Sequence, residues 1–204
     1  MQDERPRVIL VTDGDIIART ALEIAAQLIH ARVISRSAGN PTPLSGDEIV
    51  DLILHAAHDP IIVMLDDNGT WGQGPGEQAL RALVQNQRIR IIGVLAVASN
   101  TRYVRGIPVD FSVDRRGRIV DAAVNKDGFR MRSKRKLIFG DTVDILRRLH
   151  VPYLIGIGDI GKMKGLDDCH RACPVTVSAL QLLIELDDWA VGKRRHDTPF
   201  LLVK

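Results

Sequence analysis

Apolar runs of strand length, unbroken by polar positions, recur along the first half of the chain. Arg7-Val8-Ile9-Leu10-Val11-Thr12, Ile61-Ile62-Val63-Met64-Leu65 and Ile91-Ile92-Gly93-Val94-Leu95-Ala96-Val97 are of this kind, the pattern of strands covered on both faces. Between them the period becomes helical. Ile17, Ala21, Ile24, Ala25 and Leu28 fall on one helix face, and Arg32-Val33-Ile34-Ser35 then starts a second strand, completing a β-α-β unit. Ser45-Gly46-Asp47-Glu48 has capping-box spacing ahead of Ile49, Val50, Leu52 and Ile53, which places a helix start near Gly46. Another helix is predicted from Glu77 to about Val84.

Farther along, Val109, Phe111 and Val113 alternate with Asp110, Ser112 and Asp114, and Arg115-Arg116-Gly117 separates them from Ile119-Val120. Alternation with a turn signal predicts an antiparallel hairpin at a sheet edge. Asp141-Thr142-Val143-Asp144 is expected to cap a helix through Leu149, Val151-Pro152-Tyr153-Leu154-Ile155 to form a strand, and Pro174 to open a last helix. The expected fold is α/β: three layers, a mainly parallel, doubly wound sheet with helices on both faces, and an added β-hairpin. Residues 1–192 are expected to form a single domain and residues 193–204 an irregular tail.

Composition changes this picture little. The chain has 204 residues, 45% hydrophobic and 26% charged, ordinary for one sizeable core. Its start is too charged for a secretory signal and no apolar run approaches the roughly 18 residues of a membrane span, so a cytoplasmic protein is expected. Cys169 and Cys173 are the only cysteines, which suits a reducing compartment, and with His170 they crowd too few ligands into five residues for structural zinc. Net charge is +3. Basic residues gather at Arg115, Arg116, Arg118, Lys126, Arg130, Arg132, Lys134, Arg135 and Lys136, and again at Lys193, Arg194 and Arg195, readable as solvated loops or as an anionic contact surface. Aromatic residues total 4%, too few for a base-stacking platform, so nucleic acid is not the expected partner.

Candidate chemistry lies where the strands end, the edge at which open α/β sheets bind ligands. Asp13 and Asp15 follow the first strand, Asp66 and Asp67 the third, and Glu77 opens the next helix. Asp13, Asp15, Asp66 and Asp67 could converge on a hard cation such as Mg²⁺, or serve as turn and helix-cap residues. Gly156-Ile157-Gly158-Asp159-Ile160-Gly161-Lys162 follows the last strand. It contains the GxGxxG spacing, but the next helix starts too late for a dinucleotide fingerprint; Gly156, Gly158, Asp159 and Lys162 are instead read as an anion-binding loop or a plain turn. Trp71, in a glycine-rich loop, is a candidate pocket cover or an edge-packed residue. No G-x-S-x-G elbow, Walker A loop or H-E-x-x-H motif occurs, which removes the commonest hydrolase and nucleotidase signatures.

These blocks also form a family pattern. Residues 8–18 (VILVTDGDIIA), Ser37-Ala38-Gly39-Asn40-Pro41-Thr42, Val63-Met64-Leu65-Asp66-Asp67-Asn68-Gly69, Gly74-Pro75-Gly76-Glu77, Val97-Ala98-Ser99-Asn100-Thr101 and residues 156–163 (GIGDIGKM) together resemble the stage V sporulation protein AE family. The resemblance implies a protein of endospore-forming Firmicutes, encoded with the membrane system that moves dipicolinic acid into the spore and releases it in germination. It would be cytoplasmic and peripheral to the spore inner membrane, with that system's membrane proteins as partners and an anionic lipid surface as a further contact. It implies no catalytic residue. More distantly, the layout is similar to the toprim domain of topoisomerases and primases. Thr12-Asp13 and the adjacent Asp66-Asp67 depart from the toprim glutamate and Asp-x-Asp pair, which speaks against phosphodiester chemistry and leaves metal or anion binding. The expected role is thus a non-enzymatic accessory protein of spore formation and germination; the alternative is a Mg²⁺-dependent enzyme or sensor for a phosphate or dicarboxylate.

Overall fold

The computed structural model describes residues 3–69, 73–100, 104–140 and 142–192. Trp71, Thr101, Asp141, the basic run at 193–195 and the expected tail lie outside the described residues. The strands are β1 (Arg7–Val11), β2 (Arg32–Val33), β3 (Ile61–Met64), β4 (Arg90–Val97), β5 (Ile107–Pro108), β6 (Phe111–Val113), β7 (Ile119–Val120), β8 (Leu137–Ile138) and β9 (Leu154–Ile157). The α-helices are α1 (Ile16–Leu28), α2 (Gly46–Leu54), α3 (Pro75–Gln85) and α4 (Pro174–Ala190).

Seven strands form one sheet in the order β2-β3-β1-β4-β9-β6-β7, parallel except for β7, which turns back on β6 as the expected edge hairpin. The sheet divides the interior into two apolar clusters. Ile9 and Val11 of β1 point into the cluster with α1 and α4, while Val8 and Leu10 point into the cluster with α2 and α3. All four are fully buried, which is why this strand lacks polar alternation. The architecture is the expected α/β sandwich with helices on both faces.

Two local expectations are corrected and one unexpected element is added. In α1, Ala21 and Ala25 are buried, but Ile17 and Leu28 are 42% and 55% exposed. The buried stripe is Ala18, Ala21, Leu22, Ala25 and Ala26; small side chains let the helix sit close to its neighbours, which turns the larger Ile17 outward. Between 141 and 149 the chain forms a 3-10 helix, Asp144–Arg148, whose cap position holds Val143 with no side-chain bond. Asp144 instead accepts the amides of Arg105 and Gly106, a non-local task that takes it out of the helix cap. A second small sheet, β5 with β8, has no counterpart in the sequence reading, because two-residue strands carry no period.

The α2 capping box forms as read, with Ser45 Oγ accepting the Glu48 amide and Glu48 Oε2 accepting that of Ser45. The last helix is tied at both ends. Near its start, Asp167 is fully buried and accepts the amides of Val175, Thr176 and Gly161 at 2.8, 2.9 and 2.9 Å and the Thr176 hydroxyl at 2.6 Å. Near its end, buried Asp187 takes a two-pronged contact from Arg90 at 2.5 and 2.9 Å and a longer one from Arg7 at 3.5 Å. Arg7 and Arg90 begin β1 and β4, so this clamp sits at the sheet edge opposite the strand-end loops.

Candidate ligand pocket at the strand ends

The loops after β1, β3, β4 and β9 meet around a pocket of about 240 Å³. Its walls include Asp13, Asp15, Asp66, Asp159 and Lys162, so five of the nine site candidates come together. Two glycines make this convergence sterically feasible. A Cβ on Gly14 would stand 2.5 Å from the Gly39 carbonyl oxygen, and one on Gly76 would stand 2.6 Å from the Asp66 carbonyl oxygen. Backbone from separate loops therefore packs directly against backbone.

Asp15 is the N-cap of α1. Its Oδ1 accepts the amides of Ile17 and Ala18, both at 2.8 Å, and its Oδ2 accepts Lys162 Nζ at 2.7 Å. Burial pushes this carboxyl up, but the Lys162 contact and the helix amides outweigh it and leave the group below the usual carboxylate range. Lys162 also donates to Asp159 at 2.8 Å. Burial works against its charge, yet the two carboxylates prevail and hold it protonated well above its ordinary range. The result is an Asp15-Lys162-Asp159 bridge across the mouth of the β1 and β9 loops.

Asp13 behaves differently. Burial, reinforced by the negative charge of Asp15, lifts its carboxyl to about 7, although the Asp15 amide and Lys162 pull it down and Asp66 adds to the rise. Asp13 thus changes charge near neutral pH, whereas its neighbours Asp15 and Lys162 keep theirs. Asp66 accepts the Asn68 amide at 2.9 Å, and its own amide donates to Thr42 Oγ1 at 2.8 Å.

The remaining candidates lie elsewhere. Asp67 turns away and caps α3 from a distance, its Oδ1 accepting the amides of Gly76 and Glu77 at 2.7 and 3.1 Å. Glu77 lines a separate depression of about 490 Å³ with Arg105, Asp144, Arg147 and Arg148. Gly156 lies inside β9 against Ser112, and Gly158 packs on backbone of the 126–128 turn. The loop amides that would form an anion nest are engaged internally: Asp159 donates to the Lys126 carbonyl, Gly161 to Asp167, and Lys162 to the Asp159 carbonyl. Three of the loop's backbone donors thus already have acceptors within the protein. Cys169 and Cys173 are free thiols with their sulfurs 3.5 Å apart. Among the described residues, no group of three or more His, Cys, Asp or Glu is disposed to hold a metal ion.

Thr12, Asn40, Ser99, Asn100 and Lys126 also line the pocket. Thr12 has a visible signal, since it ends the first strand, and its hydroxyl accepts the Val97 amide at 2.9 Å and so ties β1 to β4. Lys126 has none, because it arrives from the turn beyond β7 and is held there by the Asp159 amide. A Gly14→Ala chain is expected to lose about 1–3 kcal/mol of stability through the forced separation of the loops, which urea unfolding followed by circular dichroism would register.

The family model described as Stage V sporulation protein AE1 matches residues 7–186, a span that includes every strand and every residue of the pocket. No curated protein and no solved structure matches the chain.

Proposed function

Because the chain belongs to the Stage V sporulation protein AE1 family and so has a role in sporulation, we propose that it works without catalysis, as an accessory protein at the spore inner membrane. Its partners in this reading are the membrane proteins that carry dipicolinic acid, and the strand-end pocket is a binding site for a small polar ligand. No helix among the described residues is long and apolar enough to cross a membrane, which fits a peripheral role. The observation that carries the non-catalytic reading is the Asp15-Lys162-Asp159 bridge. A lysine held protonated by two carboxylates is a poor base and nucleophile at neutral pH, and Asp15 is already committed to a helix cap.

The basic segments add attraction to an anionic lipid surface, worth about 1 kcal/mol for each well-placed Lys or Arg. In fractionated sporulating cells, a tagged chain is expected to sediment with the inner membrane at low salt, to leave it at high salt, and to cross-link to the dipicolinic-acid transport proteins. Recovery wholly in the supernatant at low salt, with no such cross-link, would sink the reading.

One observation favours a second reading, a Mg²⁺-dependent sensor. Asp13 stands close enough to Asp15 and Asp66 for both to raise its carboxyl, and a divalent cation would replace the proton that Asp13 retains near pH 7. Such an ion would have to displace the Lys162 ammonium from Asp15. Calorimetric titration with Mg²⁺ at pH 8 is expected, on this reading, to show weaker binding by about ten-fold in Asp13→Asn and Asp66→Asn. Equal isotherms in the three chains would eliminate it.

A further inference from the structure

A concavity of about 930 Å³ lies away from the strand-end pocket, between the β6-β7 hairpin, the turn carrying Gly128 and Phe129, and the start of α4. Five arginines line it, Arg115, Arg116, Arg118, Arg130 and Arg171, against a single carboxylate, Asp114. Asp114 is 3% exposed. Its Oδ2 accepts Nε and Nη2 of Arg118 at 3.0 and 2.8 Å and Nε and Nη2 of Arg130 at 3.1 and 3.0 Å, while its Oδ1 accepts the amides of Arg116 and Arg118 at 2.9 and 3.2 Å. Burial works against this charge, but Arg118, the two amides and Arg130 hold the carboxyl below its usual range.

One ionised, buried carboxylate therefore fixes two guanidinium groups side by side. Arg118 and Arg130 each keep Nη1 out of that contact, and their side chains stay 55% and 49% exposed. Arg115 is held over the Phe129 ring at 4.2 Å, with Arg116 and Arg171 on the remaining walls. Five cations facing one anion repel one another unless a counter-charge sits among them. The adjacent helix terminus does not supply the attraction, since Asp167 accepts the Val175 and Thr176 amides.

We propose that this groove binds a multiply charged phosphate group, either free or as the headgroup of a lipid, with Arg118 and Arg130 as a preset fork and Arg115, Arg116 and Arg171 closing around it. Guanidinium forks pair two-pronged with phosphate oxygens, and a tetrahedral phosphate can receive more than one fork where a planar carboxylate is used up by one or two. Tethering by Asp114 lowers the ordering cost of two long side chains, which a solvated basic loop would meet in full. This assignment stands independently of the strand-end pocket and of any membrane partner.

The full chain would be titrated with inorganic pyrophosphate by calorimetry at fixed salt, and separately tested for cosedimentation with vesicles containing phosphatidic acid and with vesicles of phosphatidylcholine alone. Pyrophosphate is expected to bind one per chain, and about ten-fold more weakly to the Arg116→Ala, Arg171→Ala chain. The Arg118→Lys, Arg130→Lys chain keeps the charge and loses the fork; it too is expected to bind about ten-fold more weakly. Thermal melts of each variant establish that it is folded. Pyrophosphate binding without preference for the anionic vesicles identifies a free phosphate, and preference for those vesicles that weakens in both variants identifies a headgroup. Absence of both, or affinity unchanged in the lysine chain, overturns the proposal, the latter because attraction without a fork is ordinary surface charge.

Discussion

An Asp167→Ala chain is expected to unfold about 3–5 kcal/mol more easily than the wild type. The carboxylate gathers three amides and a hydroxyl with no exposure to water, and truncation leaves all four buried donors without that acceptor. Burial nevertheless outweighs those bonds far enough to raise the Asp167 carboxyl above its ordinary range. The ionised group thus carries a desolvation cost that alanine removes, which places the expected value toward the lower end. For a chain of this size that is roughly 6–12 °C in Tm. Asp167→Asn keeps one oxygen acceptor and should lose about half as much. The Gly161 amide is among the donors, so Lys162, its neighbour in the pocket, should also loosen. Thermal and urea unfolding of the three chains would check the ranking, and a change below about 1 kcal/mol for alanine would refute the role assigned to this residue.

The second large effect has the opposite sign. Asp13→Asn is expected to stabilise the chain at pH 8 and leave it unchanged near pH 4. In the unfolded chain the carboxyl ionises around its ordinary value of 3.8, whereas in the fold it keeps its proton to about 7. Between those limits the folded state binds more protons, so stability falls as pH rises and the whole penalty is present above pH 7. The interval corresponds to at most about 4 kcal/mol, and residual solvent at the pocket mouth reduces it to roughly 2–4 kcal/mol. Asparagine mimics the protonated acid and can still accept the Asp15 amide, so its contribution should be flat with pH. Denaturant unfolding at pH 4, 6 and 8 tests this, and parallel profiles for the two chains would contradict it. Such a cost in stability supports the binding role proposed for the pocket.

The parts of the fold visible in the sequence are those governed by burial on both faces or by bonds a few residues long. The runs at β1, β3 and β4 and the Ser45-Glu48 capping box belong here. Asp15 was readable as a cap or as a ligand, and it is a cap that also holds Lys162. Asp67 adjoins Asp66 and so reads as a pocket residue, but the amides it accepts lie nine and ten residues on, across a loop whose path local pattern does not define. Lys126 and the Asp114 fork were illegible for a related reason. The basic residues were visible as a run, yet which of them turn toward a carboxylate depends on the hairpin's packing against α4, and that is set by contacts far apart in the chain.

The Asp187 clamp bears on how the molecule is assembled in time. Asp187 lies 180 residues from Arg7 and 97 from Arg90, so the clamp closes one loop that spans most of the chain and one that spans nearly half. Closure entropy grows only with the logarithm of loop length and weighs little on final stability, but contacts of such high order slow the search for the native arrangement. During synthesis β1 and β4 emerge long before α4, and the cluster holding Ile9 and Val11 has only the α1 part of its cover until then. The first strand thus waits on the last helix, and cooperativity arrives late.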